Sequence, residues 1–224
     1  MSSSSNYSNK IMNELWDDLA PGYFNYGRIS PDTDLDTVEN LVQANEDMVQ
    51  WIINKLGINK DSHVLDLACG KGMYTVRIAE TTGCRYTGVD LNTSYVEDEC
   101  KKWAEKHGVS DQGEFYQGSM LDPPSQVREQ KYTHILSLGG MLYVHNDLDK
   151  FLELIASCST AETRVFIWDF VCNKDWSECG KVNRHMKMEY PIRSREYVQE
   201  RMRESRLSLT EFQDFTPYII PGYR

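Results

Sequence analysis

Between residues 62 and 171 the apolar pattern breaks into five short runs, 63–68 (HVLDLA), 85–91, 114–120, 131–138 and 164–171. Stretches with helical spacing follow the first, second and fourth of them, over 73–82, 96–107 and 147–158. Strands that alternate with helices of this length predict βαβ units, an α/β chain and a doubly wound, mostly parallel sheet. Right-handed crossovers then place helices on both faces. Ahead of the sheet, Leu35, Val38, Leu41, Val42, Met48, Trp51, Ile52 and Leu56 recur with the period of an amphipathic helix, and Gly57 is the expected C-cap. After the sheet, a helix over 194–205 and a last strand, LSLTEFQDFT, are expected. The Ser-rich residues 1–12 read as a disordered tail, and 13–224 as one domain: a helical cap over 13–57, a core over 58–171 and a final segment over 172–224.

Composition narrows the function. The chain has 34 acidic and 24 basic residues, a net charge of −10, so it does not present the basic surface that nucleic acids require. No run reaches the ~18 apolar residues of a membrane helix, and no apolar stretch follows the N-terminus as a secretory signal would demand. A cytoplasmic location is therefore expected. The six cysteines form no C-x-x-C pair and are expected to be reduced thiols. The five histidines show no zinc-type spacing, and no metal is expected.

The first strand ends in Asp66-Leu67-Ala68-Cys69-Gly70-Lys71-Gly72. In an open α/β sheet ligands bind beyond the carboxyl ends of the strands. A glycine turn there lets a ligand reach the backbone, because no Cβ blocks it. Asp90 ends the second strand, 20 residues after Gly70, the spacing at which a carboxylate reaches two ribose hydroxyls. An adenosine-bearing ligand is indicated. A dinucleotide fingerprint starting at Gly70 needs glycine at 75, where Thr75 stands. Asp66 also disfavours an anionic pyrophosphate and favours a ligand carrying an ammonium and a sulfonium.

These residues resemble motif I of the class I S-adenosylmethionine-dependent methyltransferases, with Ala68 in place of the commoner first glycine. Gly88-Val89-Asp90-Leu91-Asn92 is similar to the segment that follows, Gly118-Ser119-Met120 to the adenine-contacting motif, and Ile135-Leu136-Ser137-Leu138 to the fourth strand. Phe24-Asn25-Tyr26-Gly27 and the helix after it resemble the N-terminal cap of the small-molecule members (the tocopherol-, sugar- and phosphoethanolamine-methylating subgroup). In all, about residues 14–217 match. The resemblance implies a Rossmann-like methyltransferase fold. It also implies S-adenosyl-L-methionine as cofactor, S-adenosyl-L-homocysteine as product, and a small methyl acceptor. The cofactor residues it implies are Tyr26, Asp66, Ala68, Gly70, Gly72, Asp90, Leu91, Ser119, Met120 and Ser137.

Methyl transfer from a sulfonium is an in-line displacement, so the protein mainly supplies orientation and water exclusion. A hydroxyl or ammonium acceptor needs a base. His145 follows the fourth strand in MLYVHND and is the leading candidate, since imidazole titrates near neutrality; Tyr23 and Tyr26 are the candidates in the cap. Asp169, a carboxylate in an apolar run, binds the acceptor or a neighbouring loop. Cys69 reads as a small packing residue, and Asp122-Pro123-Pro124-Ser125 as a turn. Residues 172–206 carry nine bases and six acids, with Arg184 or Lys187 as an anchor for an anionic acceptor; residues 14–50 carry nine acids and one base, which suits a cationic one. Charge thus leaves the acceptor open. The expected activity is N- or O-methylation of a small metabolite. A catalytically silent subunit and a methyltransferase-fold enzyme of other chemistry are the alternatives. The chain stops soon after the last expected strand, so a homodimer or a partner chain is expected to complete the sheet edge.

Overall fold

The computed structural model describes residues 18, 20–23, 27–29, 38–172 and 192–216. Helix α1 (Val38–Leu56) leads into β1 (His63–Leu67), α2 (Met73–Thr82) and β2 (Arg85–Asp90). A π-helical segment, Tyr95–Cys100, then winds directly into α3 (Lys101–Lys106). Strand β3 (Gly113–Gln117), the short α4 (Ser125–Arg128) and β4 (Tyr132–Leu138) follow. A 3-10 segment, Met141–Asp147, precedes α5 (Leu148–Cys158), β5 (Ser159–Trp168) and α6 (Arg195–Glu204). The strands form one sheet in the order β3-β2-β1-β4-β5, and every pairing is parallel. The chain reverses its winding between β1 and β4, which opens a crevice at their carboxyl ends.

Residue parity divides the core into two layers. Val64, Tyr86, Leu136 and Leu138 face one cluster, built with Leu41, Met48, Ile52 and Leu56 of α1 and Val76 and Ile78 of α2. Leu65, Leu67, Val89 and Ile135 face the other, built with Leu148, Phe151, Leu152 and Ile155 of α5 and Val198 of α6. Burying each such aliphatic side chain stabilises the fold by ~1.5–3 kcal/mol before entropy is counted. Helix α1 ends as its sequence requires. Gly57 is left-handed at φ 68°, and the Gly57 and Ile58 N–H groups both donate to the Ile53 carbonyl, at 2.8 and 3.1 Å.

Three expectations need correction. Strand β5 begins at Ser159, because Tyr132 of β4 pairs with Ser159 past a register shift, and it ends at Trp168, so Asp169 lies one residue beyond it. Residues 207–215 form no strand. Their apolar groups dock singly, Leu207 on the α5 layer and Phe215 edge-on to Trp51 with ring centroids 5.0 Å apart. Cys172 is disulfide-bonded rather than a free thiol. Cys69, Cys84, Cys100 and Cys158 are free. Among the described residues no helix is long and apolar enough to cross a membrane, and no three His, Cys, Asp or Glu side chains group to hold a metal.

Candidate functional site

The turn after β1 is shaped by backbone that most residues avoid. Ala68 has φ 65°, Gly70 57° and Gly72 80°. Only glycine takes these values without strain, so Ala68 stores on the order of 1–2 kcal/mol. The space around it is tight as well: a Cβ on Gly140, in the loop after β4, would lie 2.6 Å from the Ala68 Cβ. The two loops that flank the switch point therefore touch across an alanine and a glycine.

Asp90 anchors this turn. Its Oδ2 accepts from the Gly70 N–H at 2.8 Å and its Oδ1 from the Asn92 N–H at 2.9 Å. Burial pushes its carboxyl up, while the N–H groups of Asn92, Gly70 and Leu91 pull it down. The neighbouring Leu91 is 59% exposed, an uncovered apolar surface at the end of β2. The Gly118 N–H donates to the Asp90 carbonyl at 2.9 Å, which sets Ser119 and Met120 beside it. Ser119 Oγ accepts from the Leu121 N–H at 3.2 Å, and Met120 packs on the α5 layer.

Asp66 lies inside β1 at 2% exposure and accepts from Thr75 Oγ1 at 2.6 Å. Burial first, opposed by the Thr75 bond, and then the Asp90 charge push its carboxyl up to about 7. Ser137, in β4, is fully buried, and its Oγ has no hydrogen-bond partner among the described residues. A buried hydroxyl left unbonded at the switch point is what a ligand's polar group would meet.

The candidates for the reaction divide. Tyr26 lies outside the described residues, as do Arg184 and Lys187. Tyr23 is 2% exposed, stacks edge-on to Tyr74, and donates its hydroxyl to Glu46 at 2.5 Å. His145 is fully buried, and its Nδ1 accepts from the Arg193 N–H at 2.9 Å, so the neutral ring carries its proton on Nε2. Asp169 accepts from the N–H groups of Leu142 at 3.1 Å and Phe170 at 2.7 Å, capping the 3-10 segment, and burial pushes its carboxyl up to about 7. Tyr143 belongs to no motif in the sequence. It stands in the same 3-10 segment, 44% exposed, and burial together with the Asp169 and Asp90 charges raises its phenol. Nothing but its position after β4 marked it.

The crevice therefore gathers two left-handed glycines, a buried carboxylate at the end of β2 and a buried hydroxyl with no partner among the described residues, groups that would fit an adenosine carrying an amino-acid arm. A family described as methyltransferase domain matches residues 58–206. The chain belongs to that family, the class I S-adenosylmethionine-dependent methyltransferases. The fold agrees: the structure of geranyl diphosphate methyltransferase with geranyl diphosphate and sinefungin superposes with a TM-score of 0.79 at 19% identity, over 97% of this chain and 83% of that one. Among curated relatives, the O-methyltransferase resE of Aspergillus sclerotiorum is 23% identical over 209 residues, 92% of this chain and 76% of that protein. The sterol 24-C-methyltransferase ERG6 of Saccharomyces cerevisiae is 35% identical over 71 residues, 32% of this chain but only 18% of that enzyme.

Proposed function

We propose that this methyltransferase transfers a methyl group from S-adenosylmethionine to a hydroxyl oxygen of a small molecule. The observation that carries the cofactor half is the Asp90 carboxylate locked on the Gly70 N–H at 2.8 Å, which pre-sets both the glycine turn and the ribose-binding group. The oxygen acceptor is supported by the resE match, which spans 92% of the chain and so takes in cap and core together. The sterol methyltransferase match covers only a third of the chain.

Bound S-adenosylmethionine supplies a methyl group already activated on sulfur. The chain's own residues then bind and orient. Asp90 holds the ribose, Leu91 and Met120 flank the base, and Asp66 and Ser137 serve the amino-acid arm. On the acceptor side, Asp169 presents a carboxyl that titrates near neutrality and is suited to taking the acceptor's proton, and Tyr143 a phenol suited to relaying it. His145, with Nδ1 engaged by the chain, is a donor that orients the acceptor rather than a base.

Titration calorimetry with S-adenosylhomocysteine, followed by a methyl-transfer screen over phenols, alcohols, amines and isoprenoid alkenes, tests this reading. Micromolar binding with methylation of a hydroxyl compound is the expected result. Absence of binding removes the cofactor assignment. Binding without turnover favours a silent subunit. Methylation at carbon alone supports the second reading, that the sterol and geranyl diphosphate relatives indicate C-methylation.

A further inference from the structure

Gly70 is held at both ends of its peptide units. Its N–H is on Asp90, as above, and its carbonyl accepts from the Cys100 thiol at 3.3 Å. A second thiol, Cys69, faces the same carbonyl oxygen at 3.9 Å. The two sulfurs come from distant parts of the chain: Cys69 follows β1, and Cys100 closes the π-helical segment. Missing side chains make room for them. A Cβ on Gly72 would lie 2.9 Å from Cys100 Sγ, and one on Gly88 would lie 3.1 Å from Cys69 Sγ. Phe115 covers both positions, its ring 3.0 Å from the first Cβ and 2.3 Å from the second. Cys69 is partly exposed and Cys100 is fully buried. A π-helical turn within an α-helix often marks a functional site, and this one ends on the sulfur beneath the cofactor turn.

We propose that Cys69 and Cys100 form a reversible disulfide that switches off the cofactor cradle. The oxidant is a low-molecular-mass disulfide. Cys69, the half-exposed residue of the pair, attacks it through its sulfur, gives a mixed disulfide and releases one small thiol. Cys100 then attacks the Cys69 sulfur and releases the second small thiol. The two protein thiol protons end on the two released thiols, and the small disulfide has taken both electrons. The cross-link draws the sulfurs to about 2 Å and removes the S–H that bonds the Gly70 carbonyl. The Gly70 peptide, held on one side by Asp90 and on the other by Cys100, then loses the second of these bonds. Burial, the neighbouring Cys100 and the Asp90 and Asp66 carboxylates hold the Cys69 thiol protonated. Exchange is accordingly slow at neutral pH, and the equilibrium is the quantity to read.

The switch rests on the cofactor reading for its consequence but not for its chemistry, and the test separates the two. The full chain is equilibrated in glutathione buffers from fully reduced to fully oxidised, alkylated, and mapped by peptide mass spectrometry. Affinity for S-adenosylhomocysteine is measured on the same samples. The expected result is a Cys69–Cys100 peptide at the oxidised end, a loss of affinity of at least tenfold, and recovery with dithiothreitol. Cys69→Ser and Cys100→Ser each abolish the linked peptide and bind equally in both buffers, which sets aside the disulfide at Cys172. No linked peptide at the oxidised end overturns the proposal, and so does a linked protein that binds as the reduced one does. A reduced wild type that does not bind overturns the cofactor reading and the coupling with it, while the peptide map still decides the cross-link.

Discussion

Asp90 shows how much one carboxylate can carry. It fixes the turn from within and is the proposed ribose anchor, so its loss acts twice. Asp90→Ala is expected to weaken S-adenosylhomocysteine binding by at least about a hundredfold, since two hydrogen bonds to a charged group at ~1.5–3 kcal/mol each disappear. Asp90→Asn, which keeps the volume, falls between the two; calorimetry on both variants is the check, and unchanged affinity removes the ribose assignment. Asp66 makes a pH prediction. Its carboxyl stands near 7 because burial favours the neutral form. A raised folded pKa gives stability that is present below pH ~4 and lost as the pH rises through 7. A cation bound beside it reverses the preference, so cofactor affinity rises between pH 6 and 8. Asp66→Asn flattens that rise, and a slope that survives the substitution assigns it to another group.

Elements depend on contacts that a local pattern cannot display. Gly27 has φ 69°, and a Cβ there would lie 2.3 Å from the Ala44 carbonyl oxygen, the oxygen that accepts from the Arg28 N–H at 2.8 Å. Gly27→Ala is expected to lower stability by about 1–3 kcal/mol, read as a lower urea midpoint with an unchanged slope, and an unchanged midpoint means that the cap does not seat on α1. The sequence showed β1, α2, β2 and α5 to within two residues, because strands buried on both faces read as continuous apolar runs. It also showed Asp90 and Gly70, whose spacing survives in the chain. It could not show that the polar start of β5 pairs with Tyr132, since that join is made by backbone and by the Thr163 hydroxyl, which donates to the Tyr132 carbonyl at 2.6 Å, with no apolar run to mark it. The alternation of 207–215 misled because no sheet edge among the described residues meets it; Leu207 and Phe215 are each half-buried against a different layer. Thr75 on Asp66, Cys100 on Gly70 and Tyr143 near Asp169 join residues 9 to 30 positions apart that form no motif. For His145 the element sets the role: its bond to the Arg193 N–H ties the start of α6 to the loop after β4. His145→Ala is expected to lower kcat with little loss of cofactor affinity, and wild-type turnover across the pH range removes it from the reaction.

The whole molecule is polarised along its strands. The carboxyl ends gather the glycines, Asp90, Ser137 and Asp169. The amino ends carry groups that only hold the sheet together. There His63 Nε2 meets Thr87 Oγ1 at 3.0 Å, its backbone N–H donates to Thr133 Oγ1 at 2.8 Å, and His134 Nε2 reaches the Leu56 carbonyl at 3.2 Å. Burial first and the Arg85 charge second push the His63 imidazole down to about 4, and burial also lowers His134. A depressed folded pKa gives stability that is present above pH 6.5 and lost as the pH falls toward 4. Asp66 and Asp169, both raised, change stability in the opposite sense over the same interval. The wild-type curve is therefore a difference of two trends and does not isolate either. Subtracting His63→Gln does, because that variant keeps a hydrogen bond to Thr87 and cannot take up a proton. The melting temperature of His63→Gln is expected to gain on the wild type by at least ~2 °C between pH 7 and pH 4.5, which for a domain of this size corresponds to ~1 kcal/mol. Its cofactor affinity at pH 7.5 should be unchanged, since His63 sits at the far end of β1 from the crevice. A temperature difference that stays flat with pH shows that His63 is not held neutral. A change in affinity shows that the two ends of the sheet are not independent.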